Sequence, residues 1–138
     1  MRYVLDTNAV SALMKGDQRV VGKLKATNKG DTGVPHPVIA EIAYGIERLP
    51  RSKRREALQE RFDLVRTELG RVVWTDEVSE RYGAIKATLE RKGRRIEDFD
   101  AAIAAHALAL GAVLITANLD DMARVPGLSV EDWAKGEE

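Results

Sequence analysis

The chain of 138 residues has no cysteine. That excludes disulfides, thiolate metal sites and a cysteine nucleophile. It also has no apolar run near the ~20 residues that a membrane span requires. No basic-plus-apolar leader precedes the first apolar segment. By elimination the cytoplasm is the expected compartment, with no membrane partner. Charge of one sign is missing as well: 22 basic residues face 22 acidic ones. No global field therefore draws nucleic acid to the chain, and any such attraction must be local. There is no repeat, low-complexity stretch or linker. What remains is ordinary for a globular protein, 44% apolar and 32% charged. Residues 1–138 are expected to form one domain with a core of its own.

The pattern along the chain alternates short apolar runs with helical periodicities. A strand is expected at 2–5, followed by helices near 9–14 and 17–27. Turn chemistry fills Asn28 to Gly33, and a weak strand covers 33–35. Pro37 can then open a helix at 37–49, since proline suits a first helical turn; Val38, Ile42, Ile46 and Leu49 share its stripe. A helix at 53–69 buries Leu58, Phe62, Val65 and Leu69. Arg71 to Thr75 reads as a short strand or extended link. The helix at 77–91 aligns Val78, Tyr82, Ile85 and Leu89. Helix 98–110 should pack Phe99, Ile103, Ala107 and Leu110, with Gly111 as its stop. Ala112 to Thr116 is a strand apolar enough to be buried on both faces. A loop or short helix follows, and Leu128-Ser129-Val130 reads as an edge strand. Strands separated by helices imply an α/β fold with a parallel sheet covered on both sides.

The acids carry the chemistry. Asp6 ends the first strand, at the carboxyl edge where open α/β sheets bind ligands. It can be a helix cap or a metal ligand. Asp120 and Asp121 follow the strand 112–116 and reach the same edge, unless they are simply turn residues. Glu41 lies about 100° from the centre of its helix's apolar stripe, at the flank rather than on the solvent side. Asp100 sits in the first turn of its helix, where an anion is favoured. Two carboxylates about 4 Å apart repel by roughly 4 kcal/mol at an effective dielectric of 20. A cluster of such groups must take up protons or hold a divalent cation. Oxygen-only ligands suit Mg²⁺ or Mn²⁺. That cation chemistry points to phosphodiester hydrolysis.

These segments resemble the PIN-domain ribonucleases, and within them the VapC toxins of bacterial toxin–antitoxin pairs. Tyr3-Val4-Leu5-Asp6-Thr7-Asn8 is similar to the family's opening strand and first acid. Val38 to Ile46, centred on Glu41, is similar to the helix with the second acid. Asp100 to Ala107 matches the third-acid segment, and Leu114 to Met122 the fourth, leading to Val125-Pro126-Gly127-Leu128. The order and spacing cover nearly the whole chain. The resemblance implies a PIN-like three-layer α/β/α sandwich with a mostly parallel central sheet. It makes Asp6, Glu41, Asp100 and Asp121 the acidic, metal-holding site. Asp121 is preferred to Asp120 because it directly precedes Met122, where the family usually has Phe. Asn118 stands where other PIN proteins carry an acid, so it shares the fourth place. Thr7, Asn8, Thr116 and Asn118 would orient acids or waters. The implied reaction is Mg²⁺-dependent endonucleolytic cleavage of RNA by an activated water, leaving 5′-phosphate and 3′-hydroxyl ends. The implied partners are a cognate antitoxin, operator DNA only through that antitoxin, and a second copy in a homodimer.

Two cationic runs bear on RNA. Arg48, Arg51, Lys53, Arg54 and Arg55 read more simply as a solvated turn and helix start. Arg91, Lys92, Arg94 and Arg95 lie just before Asp100 and are better placed for phosphate contacts. His106 is expected to be a packed helical residue and His36 a loop residue. Trp74 and Trp133 are expected to pack, and the acidic tail from Glu131 to Glu138 to fray. Two other readings stay open. One is a PIN-like binding or regulatory module with little catalytic activity in a DNA-binding complex. The other is a phosphatase with Asp6 as nucleophile, which the presence of Asn8 two residues on disfavours.

Overall fold

Five short strands line up in the order β3-β2-β1-β4-β5, every neighbouring pair parallel. They are β1 (Tyr3–Leu5), β2 (Thr32–Pro35), β3 (Gly70–Val72), β4 (Val113–Ile115) and β5 (Val130–Glu131). The helices are α1 (Thr7–Met14), α2 (Gln18–Lys25), α3 (His36–Glu47), α4 (Lys53–Glu68), α5 (Asp76–Arg91), α6 (Asp98–Leu110) and α7 (Leu119–Met122), with one 3-10 turn at Lys29–Asp31. These come from a computed structural model that describes residues 1–135. Successive strand residues point to opposite faces. Val4 and Leu5, and likewise Leu114 and Ile115, are all buried, so both faces of the sheet are covered. The architecture is the expected α/β sandwich, and the sheet is parallel throughout.

Local chemistry sets the helix boundaries. Asp6 caps α1 through the Thr7 N–H, which starts that helix two residues earlier than its apolar pattern suggests. Asp17, Ser52 and Thr75 cap α2, α4 and α5 by accepting backbone N–H bonds. Pro37 sits in the first turn of α3. Gly111 ends α6 in the left-handed region at φ 62°, a conformation open to glycine without a Cβ clash.

Strand order then creates the site. From β1 the chain moves outward on one side through β2 and β3, and it returns on the other through β4 and β5. The order reverses between β1 and β4, and such a switch point leaves a crevice at the carboxyl ends of the two strands. The Asp6 N–H donates to the Ile115 carbonyl at 2.9 Å, tying the two strand ends together there.

Several expectations need correction. Helix α6 does not bury a single stripe: every residue from Ala101 to Ala107 is buried. Its small side chains let it sit on β1 and β4 with α5 packed against it. A helix enclosed on all sides has no solvent face along its middle. Its ends reach the surface instead, and Phe99 and Leu110 are 45% and 44% exposed. Trp74 is also exposed, because the edge strand β3 stops at Val72 and the chain leaves the sheet. Its indole nonetheless packs edge-on against His106 at 5.2 Å and donates to Ser79 Oγ at 2.6 Å. The edge strand β5 lies at Val130–Glu131 rather than Leu128–Val130. The start of the acidic tail is therefore ordered. The Glu131 carbonyl accepts from the Thr116 N–H, and Trp133 packs against Tyr3 at 5.4 Å. The last three positions, 136–138, lie outside the described residues.

Candidate active site

Asp6 is only 3% exposed, and donors surround its carboxylate. The Thr7 N–H donates to Oδ1 at 2.7 Å, and Thr116 Oγ1 donates to Oδ2 at 2.8 Å. Asn8 Nδ2 donates to the same Oδ2 at 3.3 Å and to Thr116 Oγ1 at 3.3 Å. Asn8 is itself held, since its Oδ1 accepts from the Ala117 N–H at 2.7 Å. Thr116 Oγ1 also accepts from the Asn118 N–H at 2.9 Å. Burial raises the Asp6 pKa, and the bonds from Thr116, Thr7 and Asn8 oppose that rise. The helix cap and the buried anion are thus one residue: the loop that starts α1 also orients the carboxylate.

Glu41 comes from α3, across the cleft. Thr7 Oγ1 donates to its Oε1 at 2.5 Å, so one threonine serves two acids, through its backbone to Asp6 and its hydroxyl to Glu41. Asp100 enters from the first turn of α6, half-buried. Its pKa is raised to about 6, first by burial and then by the charges of Asp6, Glu41, Glu97 and Asp121. Three acids from three different helix starts or faces therefore share one electrostatic environment. Asp6, Glu41, Asp100 and Asn118 line a single open cavity of about 740 Å³.

Asp121 lies on the far side of Asp100. It lines a second cavity of about 560 Å³ together with Asp100, Arg95 and Arg124. Its carboxylate faces Arg124 at 3.6 Å. Asp120 lines neither cavity. Of the basic run Arg91, Lys92, Arg94 and Arg95, only Arg95 lines either cavity. The basic run from Arg48 to Arg55 also lines neither; Arg55 pairs with Glu47 at 3.0 Å, and Arg48 lies over the Tyr44 ring. His106 is fully buried, as its apolar surroundings suggest, with Nδ1 on the Ala102 carbonyl at 2.7 Å.

Some lining residues escaped the motif reading. Ser11 and Lys15 face the first cavity, and they follow Thr7 at four-residue steps along α1, the spacing of one helix face. That periodicity was readable. Arg124 was readable too, three residues after Asp121 in a helical turn.

The donors at the first cavity are carboxylate, amide and hydroxyl oxygens. Among the described residues no three His, Cys, Asp or Glu side chains form a ready-made metal cage. That suits some cations better than others. Mg²⁺ keeps several waters and uses one or two carboxylates plus substrate phosphates, rather than an all-protein shell. Like-charge repulsion at Asp100 is the second sign that a cation fits, since a divalent ion relieves it.

Comparison with known proteins follows the same outline. The profile of the PIN domain family matches residues 3–128. Ribonuclease VapC2 of Rickettsia felis is 34% identical over 137 residues, covering 98% of this chain and 100% of that protein. The tRNA(fMet)-specific endonuclease VapC of Shigella flexneri is 30% identical over 138 residues, covering 97% and 99%. Among solved structures, VapBC2 from Rickettsia felis bound to a DNA fragment from their promoter superposes with a TM-score of 0.86. There the identity is 31%, and the alignment covers 96% of this chain and 99% of that one. VapBC-1 from nontypeable Haemophilus influenzae aligns with a TM-score of 0.84 at 28% identity, covering 98% and 100%.

Proposed function

The chain belongs to the PIN-domain family and, within it, to the VapC group, and on that footing we propose that it is an Mg²⁺- or Mn²⁺-dependent endoribonuclease, the toxin of a toxin–antitoxin pair. The observation that carries this reading is the convergence of Asp6, Glu41 and Asp100 on one open cavity at the β1/β4 switch point. Such a cavity admits a chain, whereas a small-molecule pocket encloses most of its ligand.

Asp6, Glu41 and Asp100 would hold the cation, with Asp121 beside Asp100. Bound there, it supplies Lewis acidity toward phosphate oxygens and a lowered pKa for water. The protein's own part is orientation and charge. Thr116, Thr7 and Asn8 keep both Asp6 oxygens aimed, and Thr7 keeps Glu41 against the cleft. With a pKa raised to about 6, Asp100 is mostly protonated below that pH and mostly ionised above it, so its hold on a cation would strengthen as pH rises through 6. In the hydrolysis, water oxygen bonds to phosphorus, the P–O3′ bond breaks, and the 3′ oxygen takes a proton. The ends are a 5′-phosphate and a 3′-hydroxyl.

The partners proposed are RNA as substrate, a cognate antitoxin, a second copy in a homodimer, and operator DNA only through the antitoxin. The solved relatives are themselves VapBC complexes, two of them bound to DNA. No helix among the described residues is long and apolar enough to cross a membrane. The cytoplasm, where RNA is available, is the proposed place of action.

An RNA cleavage assay with and without Mg²⁺, on wild type and Asp6→Asn, tests the reading. Cutting that needs Mg²⁺ and fails in the variant supports it. Metal-independent cutting or full activity in Asp6→Asn overturns it. Binding without cleavage by the wild type favours a regulatory module, and a trapped phospho-enzyme favours a phosphatase.

A further inference from the structure

Two cavities meet at Asp100. The first is lined by Asp6 and Glu41; the second shares Asp100 and is lined by Lys86, Arg95, Asp98, Asp121 and Arg124 among others. Two of the three cations in the second cavity already face an acid. Lys86 pairs with Asp98, and Arg124 faces Asp121 at 3.6 Å. Arg95 differs: its side chain is exposed and has no ion pair or hydrogen bond among the described residues. Its backbone, by contrast, is held. Arg124 Nη2 donates to the Arg95 carbonyl at 3.2 Å, while Arg124 Nε donates to the Asp121 carbonyl at 3.3 Å. One half-buried arginine therefore braces the loop before α6 against α7, and a free guanidinium projects from that loop beside Asp100.

Resting on the nuclease reading above, we propose that the second cavity is a phosphate subsite for the RNA strand running out of the acidic cleft. Arg95 is its phosphate contact, and Arg124 is the positioning residue that sets the Arg95 loop against the fourth-acid segment. A guanidinium meets a phosphate bidentately through a rigid fork of donors, and it needs a fixed loop to do so at one place along the strand. Lys92, in the same loop, lines neither cavity, so simple proximity in sequence does not make a contact. Five acids against three bases in its lining leave the cavity net negative. Arg95 is the lining cation without an acid partner among the described residues, so it is the group that a phosphate entering this cavity would meet.

The test uses a fluorescein-labelled 12-nucleotide single-stranded RNA with the full chain in the Asp6→Asn background. Mg²⁺ is present, and binding is followed by anisotropy across a salt series. A single-strand phosphate contact contributes about 0.7 to the slope of log K against log salt. Arg95→Gln is expected to weaken binding about three- to tenfold and lower the slope by about that amount. Arg124→Gln should do the same through loop release, with Arg124→Lys restoring little, because a lysine lacks the two-point fork. Lys92→Gln should stay within about twofold. In the cleaving wild-type background, Arg95→Gln should raise KM and leave kcat nearly unchanged. Unchanged affinity and slope in Arg95→Gln, or an equal loss in Lys92→Gln, overturns the subsite while leaving the nuclease reading intact. Failure of the parent to bind RNA at all overturns both.

Discussion

Replacing Asp100 with asparagine should stabilise the metal-free protein at neutral pH while weakening its hold on Mg²⁺. The folded-state pKa of Asp100 is about 6, against an ordinary value of 3.8. Each pH unit of that rise is worth about 1.36 kcal/mol, so the full value approaches roughly 3 kcal/mol. Asp100 is half-exposed, and solvent screening cuts such a figure severely. Its first-turn place in α6 returns a few tenths of a kcal/mol through the helix dipole. About 1 kcal/mol of net destabilisation by the carboxylate is the working figure. In a chain of this size that is a gain of roughly 3 °C in Tm for Asp100→Asn. The sign follows from proton binding: the folded state holds the Asp100 proton more tightly than the unfolded one. The penalty is therefore absent below about pH 4, grows as pH rises toward 6, and is complete above about 7. Urea unfolding or calorimetry in EDTA at pH 4 and pH 7.5 measures it. Adding Mg²⁺ at pH 7.5 should then raise the Tm of the wild type more than that of the variant. A variant no more stable than wild type at pH 7.5, or equally advantaged at both pH values, would refute the claim that burial and neighbouring acids strain this group.

Other expectations follow from the same network. Thr7→Val removes the hydroxyl that donates to Glu41 at 2.5 Å but keeps the backbone bond to Asp6; cleavage should fall about 10- to 100-fold, with little change in Tm. Thr116→Val leaves the buried Asp6 Oδ2 without its best donor, so stability should drop by about 1–3 kcal/mol in urea titrations at neutral pH. His106 behaves oppositely to Asp100. Burial lowers its pKa below 6.5, so the stability that depends on its neutral form is present above about 6.5 and lost as pH falls through the depressed value. His106→Leu also removes a buried, unpartnered Nε2. Its stability relative to wild type should therefore rise as pH falls from 7 to 5; a flat difference would show that folded and unfolded states bind the His106 proton equally, so that burial does not depress its pKa.

Periodicity and punctuation made most elements legible from the residues alone. Val78, Ile85 and Leu89 do face inward on α5, Gly111 does end α6, and Asp6 does sit at a sheet edge. These features depend on neighbours within a few positions, and local chemistry writes them directly. The exposure of Phe99, Leu110 and Trp74 was not legible, since it depends on which elements cover α6 and where the edge strand stops. Motif order along the chain proposed Asp6, Glu41, Asp100 and Asp121 as the acidic group. Spacing did not fix their grouping, because Glu41 and Asp100 flank their helices and their direction stays open. Tertiary packing decided that Thr7 bridges Asp6 and Glu41, that Asp100 feels their charges, and that Asp121 belongs to a neighbouring cavity with Arg95 and Arg124. The reason is physical: hydrogen bonds and charge–charge energies depend on distances of a few ångströms between segments up to 110 residues apart, and only the packed sheet and helices set those distances.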